Sequence, residues 1–377
     1  MMNTKKLGFG LMRLPLVDSS DATKVDYDTL CLMADRYLEA GFNYFDTAYP
    51  YHGGGNSEIA FRECVAKRYP RDTYTITNKL SFFVVQKAED MEGFFAGQLE
   101  RCGVEYFDYY LLHSMNKEYL ELAEKIGAFK FAAQKKAEGK VSHVGFSFHD
   151  KADVLDEILT RHPEMEYVQL QLNYVDWDNF EVESRKCYEV AVKHNKPVLV
   201  MEPVKGGLLA NVPEEAEKLL KEAEPNMSVA SWAVRYVASL ENVVMVLSGM
   251  SSMEQMEDNI SYMEDFKPLT DEEKQIVNKV SEIIVSKENI ACTGCRYCVD
   301  GCPQKIGIPD FFKLMNDVSK FGERQISTSK NYYNHYTGTL GMGKASDCIK
   351  CGQCESKCPQ HLSIIKYLED TVKMLES

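Results

Sequence analysis

The sequence predicts an α/β chain built as a (β/α)8 TIM barrel followed by a small, mainly helical, cysteine-rich module. Two observations predict it. From residue 7 to about residue 265, eight short apolar runs alternate with eight longer amphipathic stretches, as a parallel β/α barrel requires. Near the C-terminus, eight of the twelve cysteines fall into two copies of one spaced pattern. We expect the barrel to occupy residues 1–286 and the module residues 287–377.

The elements follow in order. The apolar run 7–11 opens the barrel, and the amphipathic stretch 28–40 behind it stops at Gly41, as helices often stop at glycine. Strand 42–46 precedes helix 57–68, and strand 74–80 precedes helix 87–101. Strand 106–113 leads to a long helical pattern, 119–138, ended by Gly139. The remaining pairs are strand 141–147 with helix 151–159, 167–171 with 181–194, 197–202 with 229–240, and 243–248 with 253–263. A helix over 271–286 then leads into the module. The rival architecture is a doubly wound sheet, which would carry G-x-G-x-x-G after its first strand. Here Gly8-Phe9-Gly10 is followed by Arg13 in the third glycine's place, so that fingerprint fails.

The cysteine pattern is Cys292-x-x-Cys295-x-x-Cys298-x-x-x-Cys302-Pro303, repeated as Cys348-x-x-Cys351-x-x-Cys354-x-x-x-Cys358-Pro359. This is the spacing of the bacterial ferredoxin run, in which three close thiolates hold one 4Fe–4S cubane and the fourth completes the other. We therefore assign Cys292, Cys295, Cys298 and Cys358 to one cluster and Cys348, Cys351, Cys354 and Cys302 to a second. Zinc sites also use C-x-x-C pairs, but they leave no role for the third cysteine and the C-P. The 45 residues between the two runs exceed what small hairpin ferredoxins carry, and 311–320 has helical periodicity. A helical ferredoxin-type module is expected, with residues 321–346, rich in Gly, Ser, Thr, Asn and Tyr, read as irregular.

Composition narrows the function classes. Apolar content of 45% and charged content of 27% are ordinary for a globular protein. A net charge of −14 argues against nucleic acid and anionic membranes as partners and would suit a basic redox protein. No window reaches the roughly 18 apolar residues of a membrane span. Arg13 and Pro15 interrupt the run after Lys5 and Lys6, so no signal peptide is expected. Cysteine-rich iron sites need a reducing compartment, which points to the cytoplasm. The scattered Cys31, Cys64, Cys102 and Cys187 read as buried free thiols.

Chemistry in such a barrel sits at the C-terminal strand ends. Asp46 ends the second strand, with Tyr51 five residues on; Lys79 lies at the end of the third strand and His113 at the end of the fourth. The segments Phe45-Asp46-Thr47-Ala48-Tyr49-Pro50-Tyr51, Thr77-Asn78-Lys79-Leu80 and Leu111-Leu112-His113 resemble the aldo-keto reductase family, as does Leu7-Gly8-Phe9-Gly10-Leu11-Met12-Arg13-Leu14-Pro15. With the cysteine-rich tail, the chain is similar to the subgroup that fuses such a barrel to a ferredoxin-like domain.

The resemblance implies a mechanism. Tyr51 would be the general acid, Lys79 would stabilise its phenolate, Asp46 would hold Lys79, and His113 would orient the carbonyl oxygen. Hydride would come from NADPH or NADH. Ser147 and Gln171 would hold the carboxamide, Met201 would cover the ring, and Lys205-Gly206-Gly207 would cradle the pyrophosphate. Gly10, Ser248, Gln255 and Asn259 complete the expected cofactor contacts. Phe148 stands where the family usually has Asn, and Gly249 and Gln255 stand about where NADPH-specific relatives place a Lys and an Arg, so NADH is as open as NADPH. Gly53-Gly54-Gly55 reads as a turn shaping the mouth, and His52 as a loop residue or a substrate contact.

The resulting expectation is an oxidoreductase that acts on a small carbonyl or alcohol with a nicotinamide, carrying two 4Fe–4S clusters for electron transfer. Clusters pass single electrons whereas a nicotinamide gives two at once; a flavin could mediate, but no flavin fingerprint is present. The alternatives are an electron-transfer protein whose barrel mainly docks partners, and a redox sensor that signals through cluster loss.

Overall fold

The computed structural model of the protein describes residues 5–18, 21–179 and 182–377. Eight strands form in the order expected: β1 (Leu7–Gly10), β2 (Tyr44–Asp46), β3 (Thr75–Leu80), β4 (Phe107–Met115), β5 (Val141–Phe148), β6 (Tyr167–Gln171), β7 (Val198–Met201) and β8 (Val243–Ser248). Each pairs in parallel with the next, and β8 pairs with β1 to close the barrel. Alternate strand residues point inward and must fill the interior. Tyr44, Tyr109, Leu111, Tyr167, Leu199, Met245 and Leu247 do so as one buried cluster. Gly145 makes room for it, since a methyl group there would stand 2.4 Å from the Tyr167 carbonyl oxygen.

Two helical expectations are corrected, and one helix appears where none was expected. The stretch 119–138 is two helices, Lys117–Ile126 and Ala128–Ala137, because Gly127 turns left-handed (φ 78°) and its N–H caps the first helix on the carbonyls of Ala123 and Glu124. The helix after β2 ends early, as Asn56–Phe61, and passes into a π-helical turn at Arg62–Ala66. A helix over Glu214–Ala223 was not foreseen. The expected start at Glu181 lies outside the described residues, and that helix is described as Ser184–Lys193.

The chain divides into two compact units. One holds residues up to Leu209 with Ala230–Lys274, and the other holds Ala210–Val229 with Gln275–Ser377. The second carries the cysteine runs, with Cys298 and Cys354 on the short helices Tyr297–Asp300 and Gln353–Lys357, each followed by a longer one, Ile308–Phe321 and Ile364–Thr371. Residues 321–346, expected to be irregular, contain the helix Ile326–Asn334. Its polar composition favours no helix, but tertiary packing decides. Tyr333 is fully buried with its ring centroid 4.6 Å from that of Phe311, and its hydroxyl accepts from Ala345 N at 2.7 Å.

Cys102 and Cys187 are buried free thiols as expected, but Cys31 and Cys64 form a disulfide with Cα atoms 4.7 Å apart. The helix Tyr27–Glu39 packs beside the π-helical turn Arg62–Ala66, and this meeting of distant segments is invisible to a spacing rule. Among the described residues, no helix is long and apolar enough to cross a membrane.

Candidate functional site

The barrel's strand register brings the four predicted catalytic candidates to one mouth. Asp46 is the last residue of β2, Lys79 lies beside Leu111 near the end of β3, and His113 follows Leu112 on β4. Lys79 is only 1% exposed and Asp46 3%. The Lys79 ammonium donates to Asp46 Oδ1 at 2.6 Å, to the Thr47 carbonyl at 3.0 Å and to the Tyr51 hydroxyl at 3.2 Å. All three ammonium donors are therefore aimed. The β3 backbone is held from behind, where Lys79 N donates to Asn78 Oδ1 and the Lys79 carbonyl accepts from Gln98 Nε2. Asn78 and Gln98 in turn donate to Glu58, which Arg101 neutralises.

Electrostatics follow from this burial. Burial opposes the Lys79 ammonium, but Asp46 and Tyr51 outweigh it and hold its pKa above the ordinary lysine value. Burial raises the Asp46 carboxyl against the pull of Lys79, and Asp46 Oδ2 has no hydrogen-bond partner among the described residues. Part of the Tyr51 ring reaches the surface, yet burial is the largest influence and raises its pKa above 10; Lys79 is the main opposing pull, and the Asp46 and Glu202 charges push it further up. The expectation that Lys79 sets a low phenol pKa is thus met in direction by its own effect, but not in the balance. Burial first, then the charges of Lys79 and His149, hold His113 well below the usual histidine range. His113 is therefore neutral near pH 7. Its ring stands edge-on to Tyr51, with centroids 6.2 Å apart, and its buried Nδ1 has no partner among the described residues.

The rim is built locally. Gly53, Gly54 and Gly55 all take left-handed backbone (φ 81°, 84° and 94°), a turn that L side chains resist. His52 accepts from Leu14 N through Nε2 at 3.1 Å, so its Nδ1 carries the hydrogen that reaches the Ala22 carbonyl at 2.8 Å. That places His52 as a brace between loops. Phe83, 57% exposed, packs edge-on to the His113 ring at 5.5 Å. It was missed in the sequence, although the apolar run 82–85 just past a strand end was a signal.

The expected cofactor contacts are partly regrouped. Ser147 is buried on β5, and its hydroxyl accepts from Ser114 N at 2.8 Å. Its partner in register on β6 is Gln169, which is buried with Oε1 unpaired among the described residues. Gln171 lies one pleat further on, beside Met201, and donates to Asp176 at 3.2 Å. Lys205, expected to supply the phosphate charge, is bound to buried Asp176 at 2.7 Å. Within the same turn, Lys205 N donates to the Glu202 carbonyl and Gly207 N to that of Val204. Gln255 Oε1 accepts from Ser251 N at 2.8 Å. Asn259 is buried and donates to the Gln255 carbonyl at 2.8 Å, its Oδ1 unpaired among the described residues. Gly10 faces the Ser248 carbonyl, 3.4 Å from where a methyl group would sit.

In the second unit the cysteines line two separate cavities. Cys292, Cys295, Cys298 and Cys358 line one, and Cys302, Cys348, Cys351 and Cys354 line the other, with Ile308 in the wall of both. Local backbone explains how three thiols reach one cavity. Gly294 and Arg296 in the first run, and Lys350 and Gly352 in the second, are left-handed, so the chain turns sharply between cysteines. Lys305 and His361, each three residues after its run's last cysteine, repeat the same conformation. The thiols surround space instead of converging, and among the described residues no three His, Cys, Asp or Glu groups are placed to hold a single metal ion. Burial first, and then the neighbouring thiols, push Cys298 up to about 12.

Comparison with known proteins agrees with this geometry. The model of the Aldo/keto reductase family matches residues 6–282, and that of a 4Fe-4S dicluster domain matches residues 291–363. The NADH-specific methylglyoxal reductase of Escherichia coli (strain K12) is 24% identical over 271 residues, covering 60% of this chain and 81% of its own. The L-galactose dehydrogenase of Arabidopsis thaliana is 25% identical over 271 residues, covering 66% and 82%. Among solved structures, the holo form of an aldo-keto reductase from Bacillus halodurans superimposes with a TM-score of 0.58 at 25% identity, covering 73% of this chain and 91% of that one. A Klebsiella pneumoniae aldo-keto reductase in complex with NADPH shares the fold, with a TM-score of 0.58 at 17% identity over 74% and 91%. An eight-stranded parallel barrel with a buried Lys–Asp pair at its mouth, matched over most of its length, places the chain in the aldo/keto reductase family, as an oxidoreductase that also carries a 4Fe-4S domain.

Proposed function

We propose that the barrel of residues 1–286 reduces a small carbonyl compound, or oxidises the corresponding alcohol, with a nicotinamide cofactor, and that the module of residues 287–377 holds two 4Fe–4S clusters that carry electrons. The observation that carries the first part is the buried Lys79 ammonium with its donors on Asp46, Thr47 and Tyr51. A scaffold barrel would gain nothing from burying that charge, which is costly unless paired.

The residues present fit a nicotinamide. Gln169 offers an unpaired buried amide oxygen beside Ser147, a matched pair for a carboxamide, and we favour it over Gln171 for that contact. Met201 and Ser248 end β7 and β8, Gln255 and Asn259 lie on the helix that follows β8, and Gly10 and Gly206-Gly207 present no side chain there. The bound cofactor would supply hydride to the carbonyl carbon. Tyr51 donates its hydroxyl proton to the carbonyl oxygen, and Lys79 stabilises the phenolate left behind. Asp46 holds Lys79 charged and in place. Neutral His113 donates a hydrogen bond that orients the carbonyl oxygen, and Phe83 shields the approach.

Each cysteine set fits a cubane by its chemistry: four thiols and an apolar wall, including Ile306 and Leu368 at one site and Phe312 and Leu362 at the other. Such clusters accept and release single electrons. Ile308 borders both cavities, which supports a path for electrons between the two sites.

The test is anaerobic titration of the purified protein with NADH and NADPH, read by absorbance, alongside reduction of a panel of small aldehydes and ketones. Cofactor-dependent carbonyl reduction supports the barrel assignment, and no turnover with any member sinks it. Cluster absorbance that bleaches on titration supports electron flow between the parts. Clusters that stay oxidised under nicotinamide and under dithionite alike exclude the electron-carrying role.

A further inference from the structure

We infer that Arg13 grips the pyrophosphate of the nicotinamide cofactor, an assignment that rests on the reductase reading above. Arg13 lies in the loop after β1, three residues past Gly10. Its stem crosses the exit of β8, where a methyl group on Gly249 would meet its Cβ, Cγ and Cδ at 3.2, 3.2 and 3.1 Å. Its guanidinium reaches the turn after β7, where a methyl group on Gly206 would meet its NH2 at 3.2 Å. Ser251 donates to the Arg13 carbonyl at 2.8 Å and fixes the loop from the β8 side. One cation thus spans the two strand exits, packed close over Gly249 and Gly206.

Several of the groups expected to meet the phosphates are held by other partners. Lys205 is bound to Asp176, and the N–H groups of Lys205 and Gly207 are used inside their own turn. Gln255 accepts from Ser251 N through Oε1. The Arg13 side chain, by contrast, makes no hydrogen bond or ion pair among the described residues. Glu202 Oε2 would lie 3.5 Å from the same methyl group on Gly206, yet the two side chains do not pair. Gly207 opens to free space, with nothing within 4 Å of where a side chain would begin. A flat, side-chain-free turn under an unpaired guanidinium fork is suited to a phosphate that takes two parallel hydrogen bonds. The pyrophosphate is common to NADH and NADPH, so a cation placed there serves both. This accounts for a site without cations at Gly249 and Gln255.

The experiment measures NADH, NADPH, ADP and adenosine binding to the full-length protein by calorimetry, for the wild type and for Arg13→Gln and Arg13→Lys. Losing a charge-assisted bidentate contact should weaken NADH, NADPH and ADP roughly ten- to hundred-fold in Arg13→Gln. Adenosine should be unaffected, and Arg13→Lys should fall between. Circular dichroism matching the wild type shows that the exposed substitution leaves the fold intact. Dissociation constants within twofold of wild type in Arg13→Gln overturn the inference alone. A loss confined to NADPH overturns it too, placing Arg13 on the 2′-phosphate. A wild type that binds neither dinucleotide overturns the reductase reading and this assignment together.

Discussion

Replacing Tyr51 by Phe removes one oxygen and leaves everything else that the structure shows at that position. The ring keeps its edge-on contact with His113, and the Lys79 ammonium stays 4.9 Å above its centroid. Lys79 loses the 3.2 Å bond to the hydroxyl but keeps Asp46 at 2.6 Å and the Thr47 carbonyl at 3.0 Å. The stability cost is therefore that of one hydrogen bond, about 0.5–1.5 kcal/mol. Turnover should fall far more, because the proposed proton donor to the carbonyl oxygen is gone. General acid catalysis contributes roughly 10²- to 10⁴-fold, or about 2.7–5.4 kcal/mol of barrier. The assay follows nicotinamide oxidation with a reducible aldehyde under steady-state conditions, with dinucleotide affinity measured separately by fluorescence. The expected result is a collapse in kcat with the cofactor Kd within twofold of wild type. A rate within tenfold of wild type would refute the assignment of Tyr51, and an equal loss of cofactor affinity would make it a binding residue instead.

Other outcomes follow from the same coordinates. Reduction consumes the Tyr51 proton, and its pKa lies above 10, so the reduction rate should hold steady through neutrality and fall only in strong alkali, while alcohol oxidation, which needs the phenolate, should rise with pH. His113 is held neutral, so neither profile should bend near pH 6.5; an inflection there that vanishes in His113→Gln would contradict its placement. Cys302→Ala should remove about half of the bound iron, and adding Cys351→Ala should remove no more, whereas adding Cys295→Ala should remove the rest. Iron loss that instead groups Cys302 with Cys295 would reverse the crossed assignment. Gly145→Ala sets a methyl group 2.4 Å from the Tyr167 carbonyl oxygen, and should lower barrel stability by about 1–3 kcal/mol in thermal unfolding followed by circular dichroism. An unchanged transition would show that β5 and β6 can separate at no cost.

Much of this protein is legible in the chain because its signals are local. Strand and helix periodicities are properties of ten or so neighbouring residues, and all eight strands fall within two residues of their expected bounds at each end. Cysteine spacing is equally local: the turns at Gly294 and Lys350 need only the residues between the cysteines. Asp46, Lys79 and His113 could be placed at one mouth because a parallel barrel puts every strand's C-terminal end on the same side. What local signals could not decide was which partner each polar group would find. The union of Cys31 with Cys64, the capture of Lys205 by Asp176 and the register of Gln169 with Ser147 all depend on segments far apart in sequence. The helix Ile326–Asn334 has a composition that argues against it, and exists because Tyr333 is buried against Phe311. In the sequence, nothing about Arg13 pointed to a phosphate. Closure of β1 against β8 laid it over Gly249 and Gly206. Spacing and periodicity determined the elements and the chemistry they carry; packing, which pairs residues by distance in space, decided which charges were engaged and which remained available to bind.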